Sequence, residues 1–183
     1  MSDTALLVVD VQESFRHRPY WSEADVPAFV ERLQTLIDGC VARGIPVVQV
    51  FHVEGEGDFS LASGLVSTLT PIAIQPDYIV HKNHHSALAG TPLAGWLTEN
   101  GIRRVIVTGI RTEQCCETTT RHASDSGYKV DYITEATLTF PMVHPRTGRA
   151  FSAEEIKEKT ELVLADRFAR IATVEQALET RNS

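Results

Sequence analysis

The chain has 183 residues, 43% of them hydrophobic and 22% charged, with a formal net charge of −7. That size suits one domain, residues 1–183, with a real core, and the acidic balance argues against a nucleic-acid binder. No apolar run approaches the roughly 20 residues a bilayer span needs, the start Met-Ser-Asp-Thr has no basic leader region, and three cysteines cannot frame a disulfide scaffold.

The expectation is a soluble cytoplasmic protein that binds neither membrane nor nucleic acid. There is no internal repeat, low-complexity tract or Gly/Ser linker.

Residues 5–9 form a continuous apolar run ending at Asp10, as a strand buried on both faces would. Asp25 to Gly44 reads as a helix, with Val26, Phe29, Val30, Leu33, Ile37, Cys40 and Val41 on one stripe. Pro46 to Phe51 is a second strand, and Tyr78 to Val80 a third that closes on His81-Lys82. Between them, residues 52–76 make a long irregular segment containing Gly55, Gly57, Gly64, Pro71 and Pro76, with a helical turn near Leu61 to Leu65. Such a segment is either a substrate-shaping loop or a surface excursion at an oligomer interface.

Thr91-Pro92 opens the next helix and Gly101 ends it. Val105 to Val107 is a fourth strand, followed by a helix from Thr112 to Ser126 with Thr112 as its N-cap. Tyr128 to Ile133 is a fifth strand and Phe168 to Ile171 a sixth. Ser152 with Glu155, and Thr173 with Gln176, form capping boxes for two late helices. Strands alternating with helices imply an α/β fold: a mostly parallel sheet between two helical layers, with ligands beyond the carboxyl ends of the strands.

Asp10, Lys82 and Cys115 each follow one of these strands. Singly, an Asp there is a turn residue, a Lys is solvated and a helical Cys is a small core residue. Together they supply a base, a positive charge and a nucleophile, the parts that acyl transfer through a thioester requires. A thiol in a first helical turn is favoured as thiolate by the dipole, and Lys82 nearby would lower its pKa further.

The stretch Val107-Thr108-Gly109-Ile110-Arg111-Thr112-Glu113-Gln114-Cys115-Cys116 resembles the nucleophile region of the isochorismatase-like cysteine hydrolases. Leu6 to Gln12 resembles that family's first strand with its Asp, and Ile79 to Leu88 its Lys followed by Ser-Ala. The resemblance covers residues 5 to about 177 in order. It implies a six-stranded parallel sheet in a three-layer α/β/α sandwich, assembled as a homodimer or homotetramer around a small-molecule substrate. It also implies that Asp10 deprotonates Cys115, that Lys82 stabilises the charges, and that the backbone N–H groups of Arg111 and Cys115 form an oxyanion hole. A cis Ile110–Arg111 peptide is part of that pattern.

Nicotinamidases in the family carry an Asp-x-His metal motif after the second strand; here Val50 stands two residues before His52 in place of the Asp. No metal and no other cofactor is therefore expected. The intact triad fits hydrolysis of a small amide, ureide or carbamoyl compound. An isochorismatase-type vinyl ether hydrolase and a non-catalytic binding relative are the alternatives. Candidate substrate contacts are Gln12, Phe15, His84 and Arg111. His84-His85 is not read as a substitute metal site, because neighbouring residues on an extended chain face opposite ways, and His85 is assigned a structural or solvated place. Arg111 could clamp a substrate carboxylate or point away to a surface acid. Cys116 is read as core-facing, and the lack of a Cys-x-x-Cys pattern disfavours a redox role.

Overall fold

The computed structural model describes residues 2–179. A parallel sheet of six strands forms its centre: β1 (Thr4–Val9), β2 (Val47–His52), β3 (Tyr78–Lys82), β4 (Arg104–Ile110), β5 (Lys129–Leu138) and β8 (Arg170–Ile171), in the order β3-β2-β1-β4-β5-β8. The sequence places this three-layer arrangement correctly, because Ala5 to Val9 have no solvent exposure at all and so must be covered on both faces.

Alternation along the strands divides the core in two. Leu6 and Val8 pack with Phe29, Leu33 and Leu36 of α1 (Val26–Ala42) and with Val174 and Leu178 of α5 (Val174–Leu178). Ala5, Leu7 and Val9 face the opposite layer, where α2 (Leu93–Glu99), α3 (Glu117–Asp125) and α4 (Ala153–Leu164) contribute Leu93, Leu97, Ala123 and Leu164. Each fully buried aliphatic side chain contributes on the order of 1.5–3 kcal/mol, so a register slip of one residue in β1 would cost most of the stability of the domain. Both expected capping boxes form, Ser152 with Glu155 and Thr173 with Gln176.

The chain runs outward from β1 to β2 and β3, then returns to lay β4 on the other side of β1. The switch point between β1 and β4 leaves a crevice at their carboxyl ends, where Asp10 follows β1 and the Cys115 turn follows β4. The close approach of these two strands depends on Gly109, at φ +130°, where an added Cβ would meet the Val9 carbonyl oxygen at 1.9 Å. Asp10 itself has φ +53°, the left-handed region that a short polar side chain tolerates.

Several elements differ from expectation. Val41 is 59% exposed and Leu36 takes its place on the buried stripe of α1. β5 runs five residues past Ile133, to Leu138, with a register shift against β4 between Val107 and Gly109. An antiparallel hairpin, β6 (Met142–Val143) with β7 (Ala150–Phe151), precedes α4 and has no clear alternation in sequence.

The 52–76 segment holds short 3-10 turns at Gly57–Phe59 and Leu61–Ser63 and folds back over residues 11–15. Leu69 N–H donates to Val11 O, Glu13 N–H to Ser67 O and Ser14 N–H to Leu65 O. It is thus packed within the chain against the segment that follows Asp10.

Candidate active site

The helix expected from Thr112 begins differently. Residues Thr112–Cys116 form one wide π-turn, with Cys116 N–H donating to Arg111 O at 3.3 Å, before α3 starts at Glu117. Thr112 is not a cap, because its hydroxyl pairs with Thr137 Oγ1 at 2.7 Å. Its carbonyl accepts from the buried Tyr132 hydroxyl at 2.7 Å, and Glu113 Oε2 accepts from Thr139 Oγ1 at 2.6 Å. The long β5 therefore braces the turn from two of its own residues, and Thr139, just past its end, adds a third contact. The Ile110–Arg111 peptide is cis, and the Arg111 N–H meets no acceptor among the described residues.

Lys82 lies at the end of β3, two strands from β1, yet its ammonium reaches the crevice. Nζ is 2.7 Å from Asp10 Oδ2, 3.1 Å from His84 O, 3.3 Å from His52 Nδ1 and 3.5 Å from Cys115 Sγ. The Asp10 and Lys82 side chains have no solvent exposure, and Cys115 is 7% exposed. Asp10 Oδ1 has no hydrogen-bond partner among the described residues, which leaves it free to take a proton.

Burial is the largest influence on both the thiol and the carboxyl. It pushes the Cys115 thiol well above its ordinary value, and the Asp10 carboxylate pushes it further, while Lys82 pulls only partly the other way. Burial and the Asp10 carboxylate thus oppose the thiolate that the expected dipole and the Lys82 ammonium favour. Burial also raises Asp10, against the opposing pull of Lys82.

The candidate contacts fare unevenly. Gln12 is fully buried: its amide nitrogen donates to His52 O at 3.1 Å and its oxygen accepts from His52 N at 2.9 Å, so it holds β2 and not a substrate. Phe15 is 6% exposed and meets Phe59 edge to face at 5.0 Å in the core. His84 offers its carbonyl to Lys82, while its ring lies beside Gly90.

It is His85 whose Nδ1 lies 3.9 Å from Cys115 Sγ, since the chain bends after Lys82 and strand alternation no longer applies. Arg111 is 6% exposed, its guanidinium 4.7 Å from the Tyr20 ring and 5.8 Å from Phe140. Its Nη2 is 2.9 Å from Glu113 Oε1, an ion contact without hydrogen-bond alignment. The guanidinium is committed to an internal acid, so a role in clamping a substrate carboxylate is not what its surroundings favour. Cys116 is fully buried.

A metal does not fit the nicotinamidase position. Among the described residues no three His, Cys, Asp or Glu side chains converge to hold an ion, and His52 turns Nδ1 to an ammonium.

An isochorismatase domain model matches residues 4–176. The chain belongs to the isochorismatase family. Nicotinamidase 3 of Arabidopsis thaliana is 32% identical over 181 residues, covering 90% of this chain and 82% of that protein. A ureidoacrylate amidohydrolase of Methylorubrum extorquens is 30% identical over 170 residues, covering 71% and 66% respectively. An isochorismatase-family crystal structure from Burkholderia xenovorans superposes with a TM-score of 0.86 at 32% identity, covering 96% of this chain and 86% of that one. The chain is accordingly an isochorismatase-like hydrolase. No helix among the described residues is long and apolar enough to cross a membrane.

Proposed function

We propose that this isochorismatase-family hydrolase cleaves a small amide, ureide or carbamoyl C–N bond through a thioester on Cys115. The observation that carries the reading is the sealed contact of one ammonium, Lys82, with both the Asp10 carboxylate and the Cys115 sulfur. With a thiol, the three groups sum to zero charge; moving the thiol proton to Asp10 gives a neutral acid, an ammonium and a thiolate, again summing to zero. Burial penalises net charge far more than a rearrangement at constant charge, so the transfer is accessible even though an isolated thiolate there is not.

The thiolate then attacks the carbonyl carbon. The oxyanion is received by the N–H groups of Arg111 and Cys115. Asp10 returns its proton to the leaving nitrogen, the C–N bond breaks, and water attacks the thioester with Asp10 again as base. Amide chemistry also agrees with the activities named for nicotinamidase 3 and the ureidoacrylate amidohydrolase, and no metal enters any step.

The experiment is ammonia or amine release from a panel of nicotinamide, simple ureides and carbamoyl compounds, with isochorismate as the ether control. Turnover of a C–N substrate, undiminished by a chelator, is the expected result. Turnover of isochorismate alone would replace this reading with ether hydrolysis.

A further inference from the structure

Two residues expected to touch substrate, Gln12 and Phe15, instead build a seat for a third. Gln12 grips the His52 backbone through both its amide nitrogen and oxygen. Phe59 meets the His52 ring edge-on at 5.9 Å, and Phe15 backs Phe59. His52 and Lys82 are direct partners in the β2–β3 register, so both side chains leave adjacent strand ends on the same side. The imidazole presents Nδ1 to the Lys82 ammonium at 3.3 Å and Nε2 to Glu54 Oε1 at 3.5 Å.

We infer that His52 is a positioning residue for Lys82: its neutral ring accepts from the ammonium and holds it on Asp10 and Cys115.

A lysine side chain is a flexible stem carrying three donors. Here the three N–H groups serve four acceptors, and the sulfur is the most distant of them. His52 Nδ1 and the His84 carbonyl each occupy one donor of the ammonium. The third hydrogen is left to lie between carboxylate and sulfur, where the proton transfer needs it. For Nδ1 to accept, the ring must be neutral with its proton on Nε2, facing Glu54. Burial, and then Lys82 itself, push His52 below its ordinary value; His85 adds to that, while Asp10 and Glu54 oppose it. A ring that merely filled space between Phe59 and β3 would need none of this orientation.

The inference rests on Cys115 as the nucleophile, and its test needs no substrate. The rate of Cys115 alkylation by iodoacetamide at about pH 8, read by peptide mapping in the folded protein, reports how readily the thiolate forms. His52→Leu removes the acceptor and is expected to slow alkylation by about tenfold, one power of ten for each unit by which the thiol rises. His52→Asn, whose amide oxygen can stand near the place of Nδ1, is expected to stay within about threefold of the parent on the same scale.

In a Lys82→Met background the His52→Leu effect is expected to vanish, because a residue that acts through another is not additive with it. An unchanged rate in His52→Leu, equal losses in His52→Asn and His52→Leu, or an undiminished effect without Lys82 would each overturn the inference. Should Lys82→Met fail to fold, the Leu–Asn comparison decides alone. Labelling at Cys116 and not at Cys115 in the parent would instead overturn the nucleophile reading, and this inference with it.

Discussion

Lys82 Nζ lies 2.7 Å from Asp10 Oδ2, and neither side chain touches solvent. Each charge is tolerable there only because of the other. Replacing Lys82 by Met should therefore leave an unpaired buried carboxylate and destabilise the fold by about 3–5 kcal/mol. A loss under about 1 kcal/mol in urea titration would show that Asp10 is protonated in the resting protein and needs no partner.

Gly109 and Gly95 should respond oppositely to alanine. At Gly109 the methyl would strike the Val9 carbonyl in a backbone conformation that L residues avoid, so Gly109→Ala should cost at least about 2 kcal/mol and displace Asp10, one residue on. Gly95 lies inside α2 with nothing within 4 Å of an added Cβ, so Gly95→Ala should stabilise by about 0.5–1 kcal/mol. Thermal melts of the two variants should move in opposite directions.

Arg111→Ala should lower kcat alike for a carboxylate-bearing substrate and its neutral methyl ester. The guanidinium braces the nucleophile turn through Glu113 and the Tyr20 and Phe140 rings, and removing it strands a buried acid at a cost of about 3 kcal/mol. A rise in KM confined to the acidic substrate would restore a charge-reading role.

Asp131 gives the fold an acid-sensitive joint. Burial pushes its carboxyl up, but Arg170 (2.8 and 2.9 Å) and Arg104 (3.1 Å) outweigh burial and hold it below its ordinary 3.8. A depressed pKa contributes stability that is present above the unfolded value and lost as pH falls through the folded one. Asp131→Asn should thus be weaker than the parent by about 1–2 kcal/mol at pH 7, with the two proteins converging below about pH 4. Urea midpoints at several pH values check the convergence.

The ends of β1 and β4 were legible because buried parallel strands write uninterrupted apolar runs, with Asp10 and the Cys115 turn just beyond them, whereas the edge strand β3 shows only the short run Tyr78 to Val80 before His81 and Lys82. The π-turn was not legible, since it depends on Tyr132 and Thr137 of β5, and Thr139 just beyond it, drawing backbone and side chains away from an ordinary cap. Gln12 and Phe15 were misread for a related reason: the sequence does not show that residues 52–76 fold back over them and bury both. The lone His52 signalled a missing metal motif, but its contact with Lys82 exists only through the β2–β3 register. The burial that raises the Cys115 thiol is not legible either, because motif spacing shows which charges come together and not how far they are desolvated.

The most direct test of the account separates two adjacent sulfurs. On any amide, ureide or carbamoyl substrate that the parent turns over, Cys115→Ala should abolish product release while Cys116→Ala keeps most of it. Digestion of the quenched reaction and fragmentation of the peptide that carries both sulfurs should place the acyl adduct on Cys115. Activity in Cys115→Ala, or an adduct at Cys116, would contradict the assignment of Cys115 as nucleophile.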